Sequence, residues 1–323
     1  MLMKRILVIV NKNWETEPVL NALTHPKLRP EELPFPEIVN TPRDADNRMS
    51  QPRALFSLGG AGKERLEIMV RCIEDLMATG VNTSSSLEKY QVLPPVIAED
   101  AADLIISVST ANYPYTEPGD VPVAPDWLES HNGSVVLGGN FFIHDGASPD
   151  ADPDTKLKHP AVGTFIASNV NSELFQLAES VTVRLSPGGK PKMIPPPHAP
   201  SPHLKCIGDA GYSAISSVNV TDYNAYDTID SEALGEFYRK APAHCTPNSI
   251  ETTHGVVKIC TREEPILFLS PITDRLNHFN DDVTDAQNYV AAFNGGLVLG
   301  ELLCLLNDFV QQGKTFESEK KQK

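Results

Sequence analysis

The sequence predicts an α/β fold, with a central, mostly parallel β-sheet covered by helices on both faces. Short, continuous apolar runs such as residues 6–10 are typical of strands buried on both faces. Segments with apolar residues every three or four positions lie between these runs, and strands that alternate with helices favour a parallel sheet. Because no linker or internal repeat divides the 323 residues, we expect one domain over about 1–315 and a flexible tail over 316–323.

The elements follow one another in a definite order. Strands are expected at residues 6–10, 54–58, 103–108, 214–220 and 265–270, with one more strand or hairpin in the segment VVLGGNFFI. Helices are expected at about 66–77, after the loop GGAGK, and at 169–181, 232–240, 251–260 and 284–312. The remaining stretches are interpreted as insertions, at about 24–52, 81–99, 125–163 and 186–203. The last of these is too rich in proline for regular structure.

Charge and cysteine usage narrow the class of protein. The formal charge is −15, from 42 acidic and 27 basic residues, and such a surface repels a phosphate backbone, so nucleic acid is not an expected partner. The five cysteines are scattered and form no C-x-x-C pair, which indicates reduced thiols in a cytoplasmic protein. The amino-terminal apolar run is too short for a signal sequence, and no apolar run reaches 18 residues, so no membrane association is expected.

Two familiar ligand motifs do not fit. The glycine loop at 59–63 is not a nucleotide-binding P-loop, because Ser57 stands at the first glycine position and Glu64 follows Lys63. A glycine turn at a helix start, with N–H groups open to an anion or to water, remains possible there. Acidic and histidine residues cluster at 144–159 without the spacing of a zinc or calcium site, so no metal is expected.

The last hundred residues resemble a known family. The segment IETTHGVVKICTREEPILFLSPITDRLNHF resembles the Met-Glu, helix, buried strand and Ser-Asp pattern of the purine/uridine phosphorylase and nucleosidase superfamily, and is closest to methylthioadenosine/adenosylhomocysteine nucleosidases. Glu251 and Asp274 are 274 − 251 = 23 positions apart, as in that family. The segments GGAGKERL, SVSTAN and PGDVPVA resemble three further family motifs in the correct order. The resemblance implies one α/β domain with a mixed, partly barrel-like sheet, assembled as a homo-oligomer.

The resemblance also implies a chemistry, namely cleavage of the N-glycosidic bond of a nucleoside, with a purine base favoured and without a cofactor. Asp274, beside Thr273, would donate a proton to the leaving base; a helix N-cap is the alternative role. Glu251 would accept hydrogen bonds from two ribose hydroxyls, with Ile250 under the sugar; the alternative is a favourable charge at a helix start. A catalytically inactive nucleoside-binding protein of the same fold remains the alternative function.

The attacking group is either water or phosphate. Ser109 and Thr110 lie in the turn that approaches the nucleophile in the family, and Gly60 is a candidate in the glycine loop. Phosphorylases generally carry an arginine where this chain has Ser107, so water is favoured, although phosphate stays possible as a co-substrate through an arginine at 43, 48 or 53 or from a neighbouring subunit. Nucleosidases place a glutamate after the first strand, and Glu17, or alternatively Glu15, would be that residue.

The base pocket has the weakest match. Asp222 fits the family's S-x-D-x-F motif, but Asn224 stands at the aromatic position. Tyr223 or Tyr226 would then supply the ring that stacks on the base, or either is an ordinary packed tyrosine.

Overall fold

The computed structural model describes residues 3–59, 64–114, 133–145, 154, 156–181, 204–208, 214–217, 226–242, 245, 247–276 and 285–318. Within these residues the helices are α1 (Asn13–Thr24), α2 (Ser86–Asp100), α3 (Glu173–Ala178), α4 (Tyr226–Lys240), α5 (His254–Cys260) and α6 (Asp285–Gln311). The strands are β1 (Met3–Val10), β2 (Glu37–Ile38), β3 (Ala54–Leu58), β4 (Arg65–Cys72), β5 (Leu104–Val108), β6 (Ala111–Tyr113), β7 (Val135–Gly138), β8 (Asn140–His144), β9 (Thr164–Ala167), β10 (Leu204–Gly208), β11 (Ala214–Ser217), β12 (Ser249–Glu251) and β13 (Ile266–Arg275).

These strands form one mixed sheet, in the order β2-β3-β4-β1-β5-β13-β6-β12-β11-β8-β9. Two further strands branch from this path: β7 pairs with β13, and β10 pairs with β7. The central strands β4, β1, β5 and β13 are parallel to one another. The path ends at β2 and β9, so the sheet is open. The predicted α/β fold with a central mixed sheet and flanking helices is confirmed.

Strand β13 joins the two parts of the sheet. Its first half pairs with β5 and its second half with β6, which in turn pairs with β12. Asp274 therefore lies beside Asn112, and Asn112 lies beside Ile250. This register brings the ends of β6, β12 and β13 to one place, and the carboxyl ends of parallel strands are where α/β sheets bind ligands.

Helices cover both faces of the sheet. Alternate residues of β1 point to opposite faces: Ile6, Val8 and Val10 pack with α1, α3 and α6, whereas Leu7 and Ile9 pack with α2 and α5. Helix α6 is close to α1 because it carries Gly296, where a Cβ atom would lie 2.7 Å from the Cβ of Ala22. This close packing places the amino-terminal turns of α6 beside the end of β1.

Helix α6 has the length and composition of a membrane span, the only helix among the described residues that does. It is nevertheless a core helix, since 78% of its apolar window is buried inside the protein.

Two sequence predictions of local structure are wrong. The segment predicted as a helix at 66–77 is strand β4 followed by a 3₁₀ turn, Ile73–Leu76, and β4 pairs with β1 along its whole length. The glycine loop before it therefore joins two antiparallel strands, β3 and β4, and does not open a helix. The segment 81–99, interpreted as an insertion, contains α2, which forms despite Pro94 and Pro95.

The carboxyl-terminal end of the packed domain also differs from the predicted one. Phe316, assigned to the flexible tail, is buried and stacks on Phe309. Glu317 pairs with Val170, and the Ser318 N–H donates to the carbonyl of Asn169. Residues 316–318 are therefore part of the packed domain. The other predicted strands and helices are present, with ends that differ by a few residues, and β7 and β8 are separate strands that pair with different neighbours.

Candidate functional site

A cavity of about 570 Å³ lies at the carboxyl ends of β1, β5, β12 and β13. The amino-terminal turns of α6 and the loop before α2 close its sides. The described residues that line it come from all these elements: Asn11, Lys12, Trp14, Glu17, Pro18, Ser84, Ser109, Thr110, Asn112, Asp230, Ile250, Glu251, Thr252, Thr273, Asp274, Asp285, Asn288 and Tyr289. Seven of these were predicted from the sequence, namely Glu17, Ser109, Thr110, Ile250, Glu251, Thr273 and Asp274.

Glu251 is the last residue of β12 and is held by backbone N–H groups. Its carboxylate accepts hydrogen bonds from the N–H of Thr253 and from the N–H of His254, the latter at 2.9 and 3.0 Å. These donors open helix α5, so the carboxylate does sit at a helix start, the alternative that the sequence left open. Burial raises the pKa of Glu251 to about 8, against the lowering effect of these hydrogen bonds. Glu251 also lines the cavity, where it can accept from a ligand.

Asp274 lies inside β13 rather than after it, because the strand continues to Arg275. The residue is fully buried, and Thr273 Oγ1 donates to its Oδ1 at 2.5 Å. The hydroxyl of Thr273 therefore fixes the orientation of the carboxyl group. A helix N-cap role is wrong, since Asp274 is within a strand.

Of the two glutamates that follow β1, Glu15 is the one held inside the protein. Its Oε1 accepts from the N–H and the hydroxyl of Thr110, at 2.6 and 2.7 Å, and its Oε2 accepts from the N–H of Lys12 at 2.8 Å. Burial raises its pKa. Glu17 is exposed on α1 at the cavity rim. The structure thus places Glu15, rather than Glu17, directly behind Thr110.

Behind Glu251 lies a chain of neutral polar groups. The ring of His254 contacts Ser107 Oγ through Nδ1 at 2.7 Å and Ser270 Oγ through Nε2 at 3.0 Å, and Ser270 Oγ lies 2.9 Å from Ser249 Oγ. All four side chains are buried, and burial lowers the pKa of His254 to about 3, so the ring is neutral at neutral pH. Ser107, at the position of the phosphorylase arginine, is consequently turned away from the cavity.

Two lysines lie beside the carboxylates. Lys12 lines the cavity, and its ammonium group donates to the hydroxyls of Thr83 and, at 3.3 Å, of Ser84 in the loop before α2. Lys89 of α2 is wholly buried and donates to Thr253 Oγ1 at 2.9 Å. Burial lowers the pKa of both lysines, that of Lys89 to about 7.

The cavity wall is acidic. Among its described lining residues, five carboxyl groups, on Glu17, Asp230, Glu251, Asp274 and Asp285, stand against the single ammonium group of Lys12. Asp230 of α4 accepts from the amide of Asn112 at 2.7 Å, and Asn112 lies between Ile250 and Asp274 in the sheet. The wall therefore offers carboxyl groups that can donate hydrogen bonds to a ligand or accept them from it, according to their protonation.

Four predicted site residues cannot be placed at the cavity from the described part of the chain. Gly60, Asp222 and Tyr223 lie outside the described residues, and Tyr226 is the first residue of α4. Within the described part of the chain no group of three or more His, Cys, Asp or Glu side chains is arranged to hold a metal. Sequence reasoning missed Asn112, Asp230 and Lys89; only Lys89 had a readable signal, because it shares a helical spacing with Leu93 and Ile97.

The three arginines proposed from the sequence to bind phosphate in place of Ser107 lie elsewhere. Arg43 and Arg53 both donate to the buried carboxylate of Asp75, and they line a separate cavity between α1 and the segment that follows β2. Arg48 is paired with Asp46 at the surface. None of the three lines the cavity that holds Glu251 and Asp274.

Comparison with known proteins gives a match in structure only. No family model and no curated protein matches the sequence. A crystal structure of an MTA/SAH nucleosidase superposes with a TM-score of 0.54 at 16% identity, over 98% of this chain and 99% of that one. The 5′-methylthioadenosine nucleosidase of Arabidopsis thaliana gives 0.52 at 12% identity, over 98% and 99%. The 5′-methylthioadenosine/S-adenosylhomocysteine nucleosidase of S. pneumoniae gives 0.50 at 13%, over 94% and 99%. The chain therefore has the nucleoside phosphorylase and nucleosidase fold that its sequence predicted.

Proposed function

We propose that this protein is an enzyme that cleaves the N-glycosidic bond of a nucleoside, with water as the attacking group and a purine as the favoured base. The observation that carries the proposal is the meeting of Glu251, Asp274 and the Glu15–Thr110 pair around one cavity. The nucleosidases that share the fold support the same reaction type.

Each group has a distinct task in this reaction. Glu251 accepts hydrogen bonds from two ribose hydroxyls, while its other contacts to Thr253 and His254 keep it in place. As the bond between sugar and base breaks, the sugar gains positive charge, and Asp274 donates a proton to the departing base. Its fixed position beside Thr273 directs that proton at one point of the cavity.

Water is the attacking group that best suits the surroundings. Glu15 takes up the proton that the water loses, with the Thr110 hydroxyl, 2.7 Å from its Oε1, between the two. The raised pKa of Glu15 makes it a better base than a solvated glutamate. Among the described lining residues Lys12 carries the single ammonium group and there is no arginine, and Ser107 supplies no charge to hold phosphate.

The test is release of free base from a panel of purine and pyrimidine nucleosides, with and without phosphate, measured by chromatography. We expect release from purine nucleosides in both conditions. Asp274→Asn should lower kcat by about 10²- to 10⁴-fold with folding intact, because the general acid is lost. Asp308→Asn, the same change at an exposed position of α6 that does not line the cavity, is the matched control and should keep most of the activity. No release from any nucleoside would refute the proposal, and release that requires phosphate would refute the role of water.

A further inference from the structure

Lys89 is an unusual residue for its position. It lies on the buried stripe of α2 that also contains Leu93 and Ile97, and its relative exposure is 0%. A lysine is almost never fully buried unless its ammonium group is paired or hydrogen-bonded, because removing the charge from water is costly. The proposed reaction, which relies on Glu251, Asp274 and Glu15, does not use it.

The ammonium group of Lys89 is bound to the turn that follows Glu251. It donates to Thr253 Oγ1 at 2.9 Å, with the carbonyl and hydroxyl oxygens of Thr252 at 3.3 and 3.4 Å. All three acceptors belong to the two residues between Glu251 and α5. The N–H of Thr253 is in turn one of the donors that hold the Glu251 carboxylate. Lys89 and Glu251 therefore share the same two-residue turn.

Several charges act on Lys89. Glu251 of β12, Glu15 of α1 and Glu74 of the 3₁₀ turn attract it, and Lys12 repels it. The ring of His254 is buried beside it and neutral, so it adds no charge. With three carboxylates against one ammonium, the surroundings favour the charged lysine that burial disfavours. Lys89 is thus a wholly buried amine beside the carboxylates of the site, and these carboxylates favour its ammonium form.

We propose that Lys89 is a positioning residue: it holds the Thr252–Thr253 turn, and its ammonium group favours the ionised form of Glu251, the form that accepts hydrogen bonds from a sugar. The proposal rests on the sugar-binding role of Glu251 in the proposed function. It adds α2, a segment interpreted from sequence as an insertion, to the machinery of the site.

Lys89→Met tests the charge and Lys89→Arg tests its replacement by another cation. In Lys89→Met, the pKa of Glu251 should rise by about 1–3 units, as expected when a neighbouring opposite charge is removed. We then expect KM for the nucleoside to rise more than kcat falls. The ratio of wild-type to variant kcat/KM should shrink as the pH is raised, since Glu251 then ionises without help. Lys89→Arg should restore part of the lost affinity.

The control separates charge from stability. Leu93→Ala, on the same stripe of α2, should lower the melting temperature. Any change in its kcat/KM relative to wild type should be the same at every pH. The proposal is wrong if the effect of Lys89→Met is likewise the same at every pH. A folded Lys89→Arg that recovers none of the lost affinity would add to that refutation.

A direct titration keeps the test independent of activity. NMR of protein with isotope-labelled glutamate can follow the side-chain carboxyl carbon of Glu251 in wild type and in Lys89→Met. The signal of Glu251 is assigned as the one that disappears in Glu251→Gln. A higher midpoint in the variant supports the proposal, and an unchanged midpoint overturns it. If the wild type releases no base from any nucleoside, the proposed function fails, but this titration still decides the role of Lys89.

Discussion

Replacement of Glu15 by glutamine separates the two glutamates that the sequence left as candidates. The change keeps the size of the side chain but removes its charge and its ability to take up a proton. We expect kcat to fall by about 10²- to 10⁴-fold, the usual contribution of a general base. KM should change little, because Glu15 lies behind Thr110 and does not line the cavity.

The effect on stability follows from the three hydrogen bonds of Glu15. A glutamine has one acceptor oxygen, so either orientation leaves one backbone N–H, of Lys12 or of Thr110, without its acceptor. Such a loss costs about 1–3 kcal/mol. Removal of a buried charge acts in the opposite direction, as the raised pKa of Glu15 indicates. The variant should therefore fold, which circular dichroism and thermal melting can check.

The matched control is Glu17→Gln, the same chemical change two residues away on an exposed position of α1. Base release by this variant should stay close to that of the wild type. The reasoning is refuted if Glu15→Gln retains activity near the wild-type level, and it is equally refuted if Glu17→Gln is the variant that loses kcat.

Three more predictions concern the site and the fold. Glu251→Gln should lower kcat/KM by about 10- to 100-fold, chiefly through KM, because charge-assisted hydrogen bonds to the sugar are lost; steady-state kinetics checks this, and an effect on kcat alone would contradict it. His254→Gln should remove a loss of stability in acid. Because folding lowers the pKa of His254 to about 3, the unfolded chain binds more protons than the folded chain below the ordinary value of about 6.5, and the wild type loses about 1.4 kcal/mol of stability per pH unit from there to about pH 3. Denaturant unfolding at several pH values should show the variant without that loss. Phe316→Ala should lower the unfolding free energy by about 3–5 kcal/mol, since the ring is buried against Phe309; a loss below about 1 kcal/mol would show that the terminal segment does not pack as described.

The strands were largely predictable because they are buried on both faces. Residues 6–10 form an unbroken apolar run, and residues 104–108 are apolar except for Ser107; such short apolar runs are typical of strands buried on both faces. The segment 66–77 was wrongly predicted as a helix because its sequence fits two periods. Leu66, Met69, Val70 and Ile73 fit a helical spacing, but the apolar residues at 66, 68, 70 and 72 also fit the two-residue period of a strand. Only pairing with β1, a contact distant in sequence, decides between the two.

Helix α2 was missed for a different physical reason. Pro94 and Pro95 each lack a backbone donor, and prolines inside a helix are usually costly. The helix forms because its buried stripe, which includes Leu93 and Ile97, packs on the sheet and on α5. The lysine on that stripe became interpretable only when the structure placed it beside the residues that follow Glu251.

The site residues were predictable where a motif fixes them and not where the fold assembles them. The spacing from Glu251 to Asp274 located both carboxylates, and the structure brings them to one cavity. The choice between Glu15 and Glu17 depends on where α1 begins and which face it buries. Asp230 reaches the cavity from α4 through its contact with Asn112, and no sequence pattern links those two positions.

Oxygen transfer is the most direct measurement of the proposed reaction. The wild-type protein is incubated with a purine nucleoside in water labelled with heavy oxygen, with and without phosphate, and the sugar product is analysed by mass spectrometry. We predict that free base appears and that the label enters the hydroxyl at the anomeric carbon of the sugar in both conditions. An unlabelled sugar phosphate formed only in the presence of phosphate, or no cleavage at all, would contradict hydrolysis at this site.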